Sequence, residues 1–393
     1  MHCHVRQIGG VVVAKMTVDM KLAAKSDPFR SAGSIVDQLV QEHLGLAPCP
    51  ALPTIDHLVH TANYCRQTSR PKNPTDLEFE LKMDFIPDNF LKGDVTTGRK
   101  RYLIFSTDQQ LQLLSRSTCW YADSTFKLVK EPFTQLFSVH SFIRHEDCAK
   151  QIPLVFCLMS GLRKKDYKAV LEAIIGMLPQ APRVQRLVID FESALWRAAA
   201  SVIPDVQIKG CSFHWTQAVW RKIQDLGLRQ AYLSDNDTHR YLRKLMSLPF
   251  LRHQHIPAVF DGLKAEASTD QLTTLVEYLE ATWILDATWT PDSWSVYFQS
   301  IRINNDVEGW HFRLNNRGRP QVQLYLLVSL LHQEAIHISN QVRLVSDGKL
   351  KRMQKKKYRD MQAKTFKYWE EYERGERSAA RLLRACSRLV SPV

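Results

Sequence analysis

The order of short apolar segments in the middle of the chain constrains the fold more than any other feature. Four segments are apolar and rich in β-branched or aromatic residues, as strands are; they lie at 102–105, 119–122, 135–143 and 152–159. The elements that follow are a helix at about 167–178, a strand at 184–189, a helix at 192–202 and a strand at 206–210. The connections after residues 123 and 143 are short enough for antiparallel hairpins. The pattern therefore predicts antiparallel strands followed by alternating helices and strands.

This order predicts an α/β fold of the ribonuclease H-like type, a mixed five-stranded sheet with flanking helices. Residues 216–300 are rich in Leu, Trp and Tyr, and we expect an all-helical insertion there, before a last helix that begins near residue 307. Short helical patterns interrupted by prolines predict an N-terminal helical arm with a linker at 26–95. The predicted divisions are a terminal segment, this arm, the first part of the core, the insertion, the last core helices and a basic helical tail, at 1–25, 26–95, 96–215, 216–300, 301–345 and 346–393.

Composition favours a globular protein with a basic surface. The 393 residues allow two or three domains, and 45% hydrophobic with 24% charged residues is typical of a packed core. The formal net charge of +13 and the pI of about 9.3 suit a polyanion such as double-stranded DNA. Many basic globular proteins bind no nucleic acid, so charge alone leaves both interpretations open.

Cysteine usage and hydropathy predict an intracellular protein without a membrane partner. The eight cysteines form no CxxC pair, which favours reduced thiols. No apolar segment approaches the roughly 20 residues of a membrane span, and the amino terminus does not resemble a signal peptide. A basic run from Lys351 to Arg359 predicts nuclear localisation, with an ordinary solvated helix as the alternative. We therefore expect the nucleus.

Three acidic residues occupy positions from which carboxylates are able to hold divalent metal ions. Asp123 and Asp190 follow apolar strands that would be neighbours in the sheet, and Glu308 lies at the start of the predicted last helix. Two carboxylates at one sheet end repel each other unless a cation lies between them. Two Mg²⁺ or Mn²⁺ ions held in this way about 4 Å apart drive phosphodiester hydrolysis and strand transfer. The pattern predicts Asp123, Asp190 and Glu308 as catalytic residues and metal ligands.

Each acid has an ordinary structural alternative when it is considered alone. Asp190 is in a position to cap a helix, and a Glu in a first helical turn is favoured by the helix dipole. Cys211 and His214 form a CxxH after the strand at 206–210, but a structural zinc usually needs four ligands. For this pair we favour a structural role at the strand-to-helix turn, with His214 close to the carboxylates because it follows a sheet end.

Basic residues follow each acidic motif and are candidates for DNA phosphate contacts. They are Lys127, Arg221, Lys222, Arg313, Arg317 and Arg319. A solvated charged face is the alternative. Four tryptophans are interpreted as core residues rather than base-stacking residues, namely Trp283, Trp289, Trp294 and Trp310.

Several ordered blocks of the sequence resemble the Mutator-like element (MULE) transposases, in particular the animal type that often follows a FLYWCH zinc finger. The similar blocks are Asp123-Ser-Thr-Phe-Lys127, Gln135-Leu-Phe137, Ile152-Pro-Leu-Val-Phe156, Tyr167, Asp190-Phe-Glu192, Gly210-Cys-Ser-Phe-His214, Gln217, Trp220-Arg-Lys222, Gly227-Leu228, Tyr232, Pro291, Trp294 and Asn304-Asn-Asp-Val-Glu-Gly-Trp-His311. The resemblance covers about 100–345. It implies a DDE transposase domain in which Asp123, Asp190 and Glu308 form the triad and Cys211 with His214 forms the family's CxxH.

Two departures from the family pattern bear on function. Ser124 and Ile303 stand where the family usually has Gly and Thr, next to catalytic positions. Residues 1–25 resemble only the last part of a FLYWCH finger. His2 and His4 are too few ligands for a closed zinc site, so we expect no zinc there.

The resemblance implies a transposase that binds DNA and catalyses two-metal strand cleavage and transfer. The alternative is a domesticated, transposase-derived DNA-binding or regulatory protein without catalysis, and a third is a genomic relic without function. The sequence leaves open a homo-oligomer or a monomer, and it predicts no membrane partner.

Overall fold

The computed structural model describes residues 8–45, 48–299, 305–318, 320–350 and 356–390. Four predictions concern residues wholly or partly outside these ranges: the zinc-finger resemblance at His2 and His4, the departure at Ile303, the DNA contact of Arg319, and the basic run from Lys351 to Arg359, of which residues 351–355 lie outside. The described residues up to Ser69 contain three helices that pack on one another: α1 (Gly10–Ser26), α2 (Ala32–His43) and α3 (Ile55–Ser69). Ser31 and Thr54 start α2 and α3, because their side chains accept backbone N–H groups of the first turn. Met16, Met20 and Ile35 lie in their shared core.

The centre of the chain is a mixed sheet with helices on both faces. Its elements in chain order are β1 (Leu91–Thr97), β2 (Lys100–Phe105), α4 (Asp108–Arg116), β3 (Cys119–Thr125), β4 (Gln135–His145), β5 (Cys148–Met159), α5 (Lys164–Gly176), β6 (Arg186–Ile189), α6 (Ser193–Val202) and β7 (Gln207–Gly210). The strand order is β1-β2-β5-β4-β3-β6-β7. The pairs β3–β6 and β6–β7 are parallel and the others are antiparallel. The predicted α/β architecture is confirmed at this level.

The predicted number of strands is wrong, because the sheet that the described residues form has seven strands rather than five. The hairpin β1–β2 extends the sheet by pairing β2 with β5. β1 is an edge strand whose residues are half-buried or exposed, and its sequence contains Lys92, Gly93 and Asp94. Edge strands need no continuous apolar run, so hydrophobic patterning gave no signal. The boundary predicted between residues 95 and 96 falls inside β1.

Two apolar layers enclose the sheet. On one face, Trp120, Ala122, Leu187 and Ile189 pack against α5 and α6.

The helices that follow β7 are α7 (Ser212–Asp225), α8 (Arg229–Ser234), α9 (Asn236–Met246), α10 (Ile256–Ala265), α11 (Asp270–Leu279), α12 (Pro291–Trp294), α13 (Asn305–Gly318), α14 (Leu324–Ile336), α15 (Ile338–Ser346), α16 (Lys356–Glu373) and α17 (Ala379–Ser387). Of these, α13 and α14 cover the other face of the sheet through Trp310, Leu314 and Val328.

Helices α7 to α12 form a second core, and the two last helices belong to it. Trp369 of α16 is fully buried there and donates its indole N–H to the Phe250 carbonyl at 2.8 Å. Leu382 and Leu383 of α17 are buried in the same core. The charged composition of the tail therefore reflects the outer faces of helices whose inner faces are packed. None of the described helices is both long and apolar enough to cross a membrane.

Gly210 is required by a close approach between the sheet and the residue after Asp190. A Cβ atom at this position would overlap the Phe191 ring. We expect Gly210→Ala to lower the free energy of unfolding by about 1–3 kcal/mol, the usual cost of overpacking. The matched control is Gly262→Ala in α10, where a Cβ would meet no atom within 4 Å. That variant should gain roughly 0.5–1 kcal/mol, because Ala favours helix over Gly. Urea unfolding of both variants measures the difference; equal stabilities would contradict it.

Candidate functional site

Asp123 and Asp190 lie at the same edge of the sheet. Tyr121 of β3 pairs with Val188 of β6 in parallel register, so both strands run toward this edge. Asp123 lies inside β3, opposite Ser138 of β4. Asp190 comes directly after β6. The two carboxylates therefore belong to adjacent parallel strands, as the sequence pattern predicts.

Asp123 is a buried carboxylate that lacks a full set of partners. Its side chain is 7% exposed. Oδ1 accepts the Ser124 N–H at 2.7 Å, whereas Oδ2 has no hydrogen-bond partner among the described residues. Burial raises the pKa of Asp123 to about 8; the charge of His214 opposes this rise and that of Glu308 adds to it. A buried oxygen of this kind is stabilised by a cation.

Asp190 is more exposed, and its position depends on the backbone that follows it. About half of its side chain is accessible. Oδ1 accepts the Phe191 N–H at 2.6 Å, and the Asp190 carbonyl accepts the Trp196 indole N–H at 2.7 Å. These two hydrogen bonds hold the Asp190 side chain and backbone in position.

His214 lies between Asp190 and Glu308. Its Nδ1 is 3.6 Å from Asp190 Oδ1, and its Nε2 is 3.0 Å from Glu308 Oε1. The chain brings it there because α7 begins at Ser212, one residue after β7 ends, with the fully buried Cys211 as the N-cap. Burial would lower the pKa of His214, but Cys211, Glu308 and Asp190 together raise it well above its usual value. In the absence of metal, a cationic imidazole therefore separates two of the three acids.

Glu308 is brought to the site by α13. Trp310 fixes this helix: its ring stacks on Phe156 with centroids 5.7 Å apart, and its indole N–H donates to Glu334 Oε2 at 2.9 Å. Burial would raise the pKa of Glu308, but the hydrogen bond and charge of His214 hold it below its usual value.

His311, one helical turn after Glu308, is a further site residue that was not predicted from the sequence. Its Nδ1 lies 3.6 Å from Asp123 Oδ2, and its Nε2 lies 3.3 Å from Ser138 Oγ. Ser138 Oγ also contacts His140 Nε2 at 2.9 Å. Burial lowers the pKa of His311 to about 4, so it is neutral at pH 7. The spacing of three residues from Glu308 on one helix was the available signal.

Ligand atoms of Asp123, His214 and Glu308 all lie within 4.8 Å of one another. Together with the unpaired Asp123 Oδ2, this spacing fits a divalent cation, for which carboxylate oxygen and imidazole nitrogen are suitable ligands. Asp190 is outside this group of three, on the far side of the His214 ring.

The basic residues predicted to contact DNA differ in their surroundings. Lys127, Arg221 and Arg313 are exposed. The Lys222 ammonium lies 5.1 Å from the centroid of the Tyr278 ring, and Arg317 Nη1 is 2.5 Å from Glu334 Oε1. Of the four tryptophans interpreted as core residues, three are buried and one is half-buried. The buried ones are Trp283, Trp294 and Trp310, and the half-buried one is Trp289.

Comparison with known proteins gives one finding on the family. No curated protein matches the chain. Residues 119–218, which include Asp123, Asp190, Cys211 and His214, match the family model of the MULE transposase domain. Residues 119–218 are therefore similar to the MULE transposase domain, and this match confirms the resemblance to the family predicted from the sequence.

Proposed function

We propose that the protein is a DDE-type transposase that binds double-stranded DNA and cleaves and joins its strands with two Mg²⁺ or Mn²⁺ ions. Convergence of Asp123, His214 and Glu308 at one sheet edge, with Asp190 beside them, carries this proposal. The match to a transposase domain over residues 119–218 supports it.

The sheet topology favours a ribonuclease H-like core. Within the seven strands, β5-β4-β3-β6-β7 are five consecutive neighbours, antiparallel up to β3 and parallel beyond it. The helical insertion precedes α13, which carries Glu308. Two hairpin strands added at the β5 edge leave the order of these five unchanged.

Asp123, Asp190 and Glu308 would hold the ions, with His214 as a further ligand. Bound divalent ions would activate the attacking oxygen and stabilise the leaving oxygen of a phosphodiester. The three carboxylates come from β3, from the position directly after β6 and from α13. His311 approaches Asp123 Oδ2 and contacts Ser138, which in turn contacts His140, so a row of buried side chains lies behind the carboxylate.

Exposed arginine and lysine side chains beside the site would contact the DNA backbone. Arg313 is exposed and has no ion-pair partner among the described residues, whereas Arg317, one turn later, is paired with Glu334. We expect Arg313→Ala to weaken DNA binding and to reduce the slope of log K against log salt by about 1, as the loss of one phosphate contact does. Arg317→Ala on the same helix is the control, with a smaller change. Fluorescence anisotropy over a salt series measures both; identical slopes would contradict the assignment.

A plasmid-nicking assay tests catalysis. The full chain should nick supercoiled DNA with Mn²⁺ and not with EDTA. Asp190→Asn, purified in the same way, should reduce the rate by more than the roughly 10–100-fold that loss of an outer-shell partner of a metal causes. Nicking that is absent in the wild type, or equal in the variant, would overturn the proposal.

A DNA-binding protein without catalysis is the second candidate, and the position of His214 favours it. In metal-free protein this cationic side chain already lies against both Asp190 and Glu308 and offsets one of their two negative charges. In that case, alanine at all three acids should leave DNA affinity and cellular role unchanged while nicking is absent throughout.

We also propose a nuclear location, on the basis of net charge and the basic run that includes Lys356. Deletion of residues 355–357 should move a fluorescent fusion of the full chain out of the nucleus. Unchanged nuclear fluorescence would contradict a signal at this run.

A further inference from the structure

Phe191, the residue after Asp190, joins the two large cores of the protein. Its ring is packed against the sheet core and also against the core of the helical insertion. On the sheet side it stacks on Trp196, with centroids 6.0 Å apart and an interplanar angle of 12°. Gly210 of β7 leaves the space that the ring fills.

On the insertion side, two tryptophan rings contact the same phenylalanine. Trp283 meets it edge to face at 4.6 Å between centroids, and Trp289 does so at 5.9 Å. The Trp294 indole N–H donates to the carbonyls of Trp283 and Trp289, at 3.0 and 3.1 Å, and thereby fixes both residues. Phe191 thus sits in an aromatic cage built from both parts of the fold.

The cage is connected to the site through the backbone. The N–H that belongs to Phe191 donates to Asp190 Oδ1 at 2.6 Å. The Asp190 side chain is half exposed, so this hydrogen bond is its main restraint apart from His214. A shift of the Phe191 ring would rotate this N–H and redirect the carboxylate. His214 is linked to the same cage, because its neighbour Trp215 stacks on Trp294 with centroids 5.3 Å apart.

We propose that Phe191 is a positioning residue that makes the metal-binding geometry of Asp190 depend on the seating of the helical insertion. This role rests on the proposed function, since it concerns Asp190 as a metal ligand. The helical insertion would then contribute to metal binding in addition to forming its own core. When Trp283 and Trp289 are in place, the Phe191 N–H holds the Asp190 carboxylate beside His214 Nδ1, next to the group formed by Asp123, His214 and Glu308; when the insertion loosens, that position is lost.

Calorimetric titration of the full-length protein with Mn²⁺ tests the role. Phe191→Leu removes the ring contacts and keeps the backbone N–H, and we expect its dissociation constant to rise about tenfold or more, within the range for outer-shell partners. The matched control is Phe260→Leu, the same change at a fully buried position of the insertion core in α10. It should lower Tm comparably and leave the dissociation constant within about twofold, because the role of Phe260 is purely structural.

The results of these titrations distinguish a failure of the positioning role from a failure of the proposed function. If the wild type binds Mn²⁺ and Asp190→Asn weakens binding while Phe191→Leu does not, only the positioning role is overturned. Equal weakening by Phe260→Leu also overturns it. A wild type that binds no Mn²⁺ overturns both proposals.

A spectroscopic measurement covers the case in which Phe191→Leu fails to fold. Saturating Mg²⁺ should change the near-ultraviolet circular dichroism of the tryptophan cage in the wild type, because the site and the cage share Phe191. The change should be absent in Asp190→Asn. An unchanged wild-type spectrum at saturating Mg²⁺ contradicts the coupling.

Discussion

Asp123→Asn is expected to abolish the rise in Tm that Mn²⁺ produces and, without metal at pH 8, to make the protein more stable than the wild type. Burial raises the pKa of Asp123 to about 8, above the value of about 3.9 in an unfolded chain. Between these values the folded protein binds a proton that the unfolded chain has released. The contribution of this group to stability is therefore present at low pH and is lost as pH rises toward 8. Asparagine carries no charge to bury, so its stability should not fall in this window.

Calorimetric Tm values at pH 5 and pH 8, with EDTA and with Mn²⁺, measure this effect. With EDTA, the variant and the wild type should be similar at pH 5 and diverge at pH 8 in favour of the variant. The control is Asp147→Asn, an exposed aspartate in the turn between β4 and β5, which should follow the wild type in every condition. A variant that Mn²⁺ still stabilises would show that Asp123 is not a metal ligand.

His214→Ala is expected to weaken Mn²⁺ binding by at least about tenfold and to remove detectable nicking. His214 is one of three residues whose ligand atoms lie within 4.8 Å of one another, so its loss removes a donor from the site. It also leaves Asp190 and Glu308 without the imidazole that both approach, at 3.6 and 3.0 Å. Repulsion between the Asp190 and Glu308 carboxylates then destabilises the metal-free site, so a higher metal concentration is needed to occupy it.

The matched control for His214 is His253→Ala. His253 also approaches a carboxylate, with Nδ1 3.4 Å from Asp292 Oδ1, but it lies beside β7 residue Lys209, away from the three acids. Its loss should leave the Mn²⁺ dissociation constant unchanged. Tighter Mn²⁺ binding by His214→Ala would contradict the ligand assignment and would identify His214 as a resident cation that metal must displace.

Adjacent parallel strands were predictable from the sequence because both are buried on two faces. Val188 and Tyr121 lie in short apolar runs that are followed by Asp. Such a run is typical of a central parallel strand, and the Asp marks the end of the strand. β1 was not predictable in this way, since an edge strand has one partner and contains polar residues. Hydrophobic patterning reveals strands whose side chains are buried, whereas the side chains of β1 are half-buried or exposed.

The surroundings of the acids were harder to predict, because they depend on contacts between distant segments. Spacing indicated that His214 follows a sheet end, yet it did not indicate a contact with Glu308, 94 positions later in the printed sequence. Phe191 offered no signal at all, since one aromatic residue after an Asp resembles any core residue. Its partners Trp283 and Trp289 are brought to it by the packing of the whole insertion.

The packing of α17 against α9 has a consequence for synthesis of the chain. The sheet has all its strands once residue 210 has been made, whereas the core of the insertion lacks Leu382 and Leu383 until α17 has left the ribosome. At roughly 5–20 residues per second, that wait is on the order of ten seconds. During it, the apolar surface of α9 is open to chaperones, and a nascent chain that stops before residue 379 would keep it open permanently.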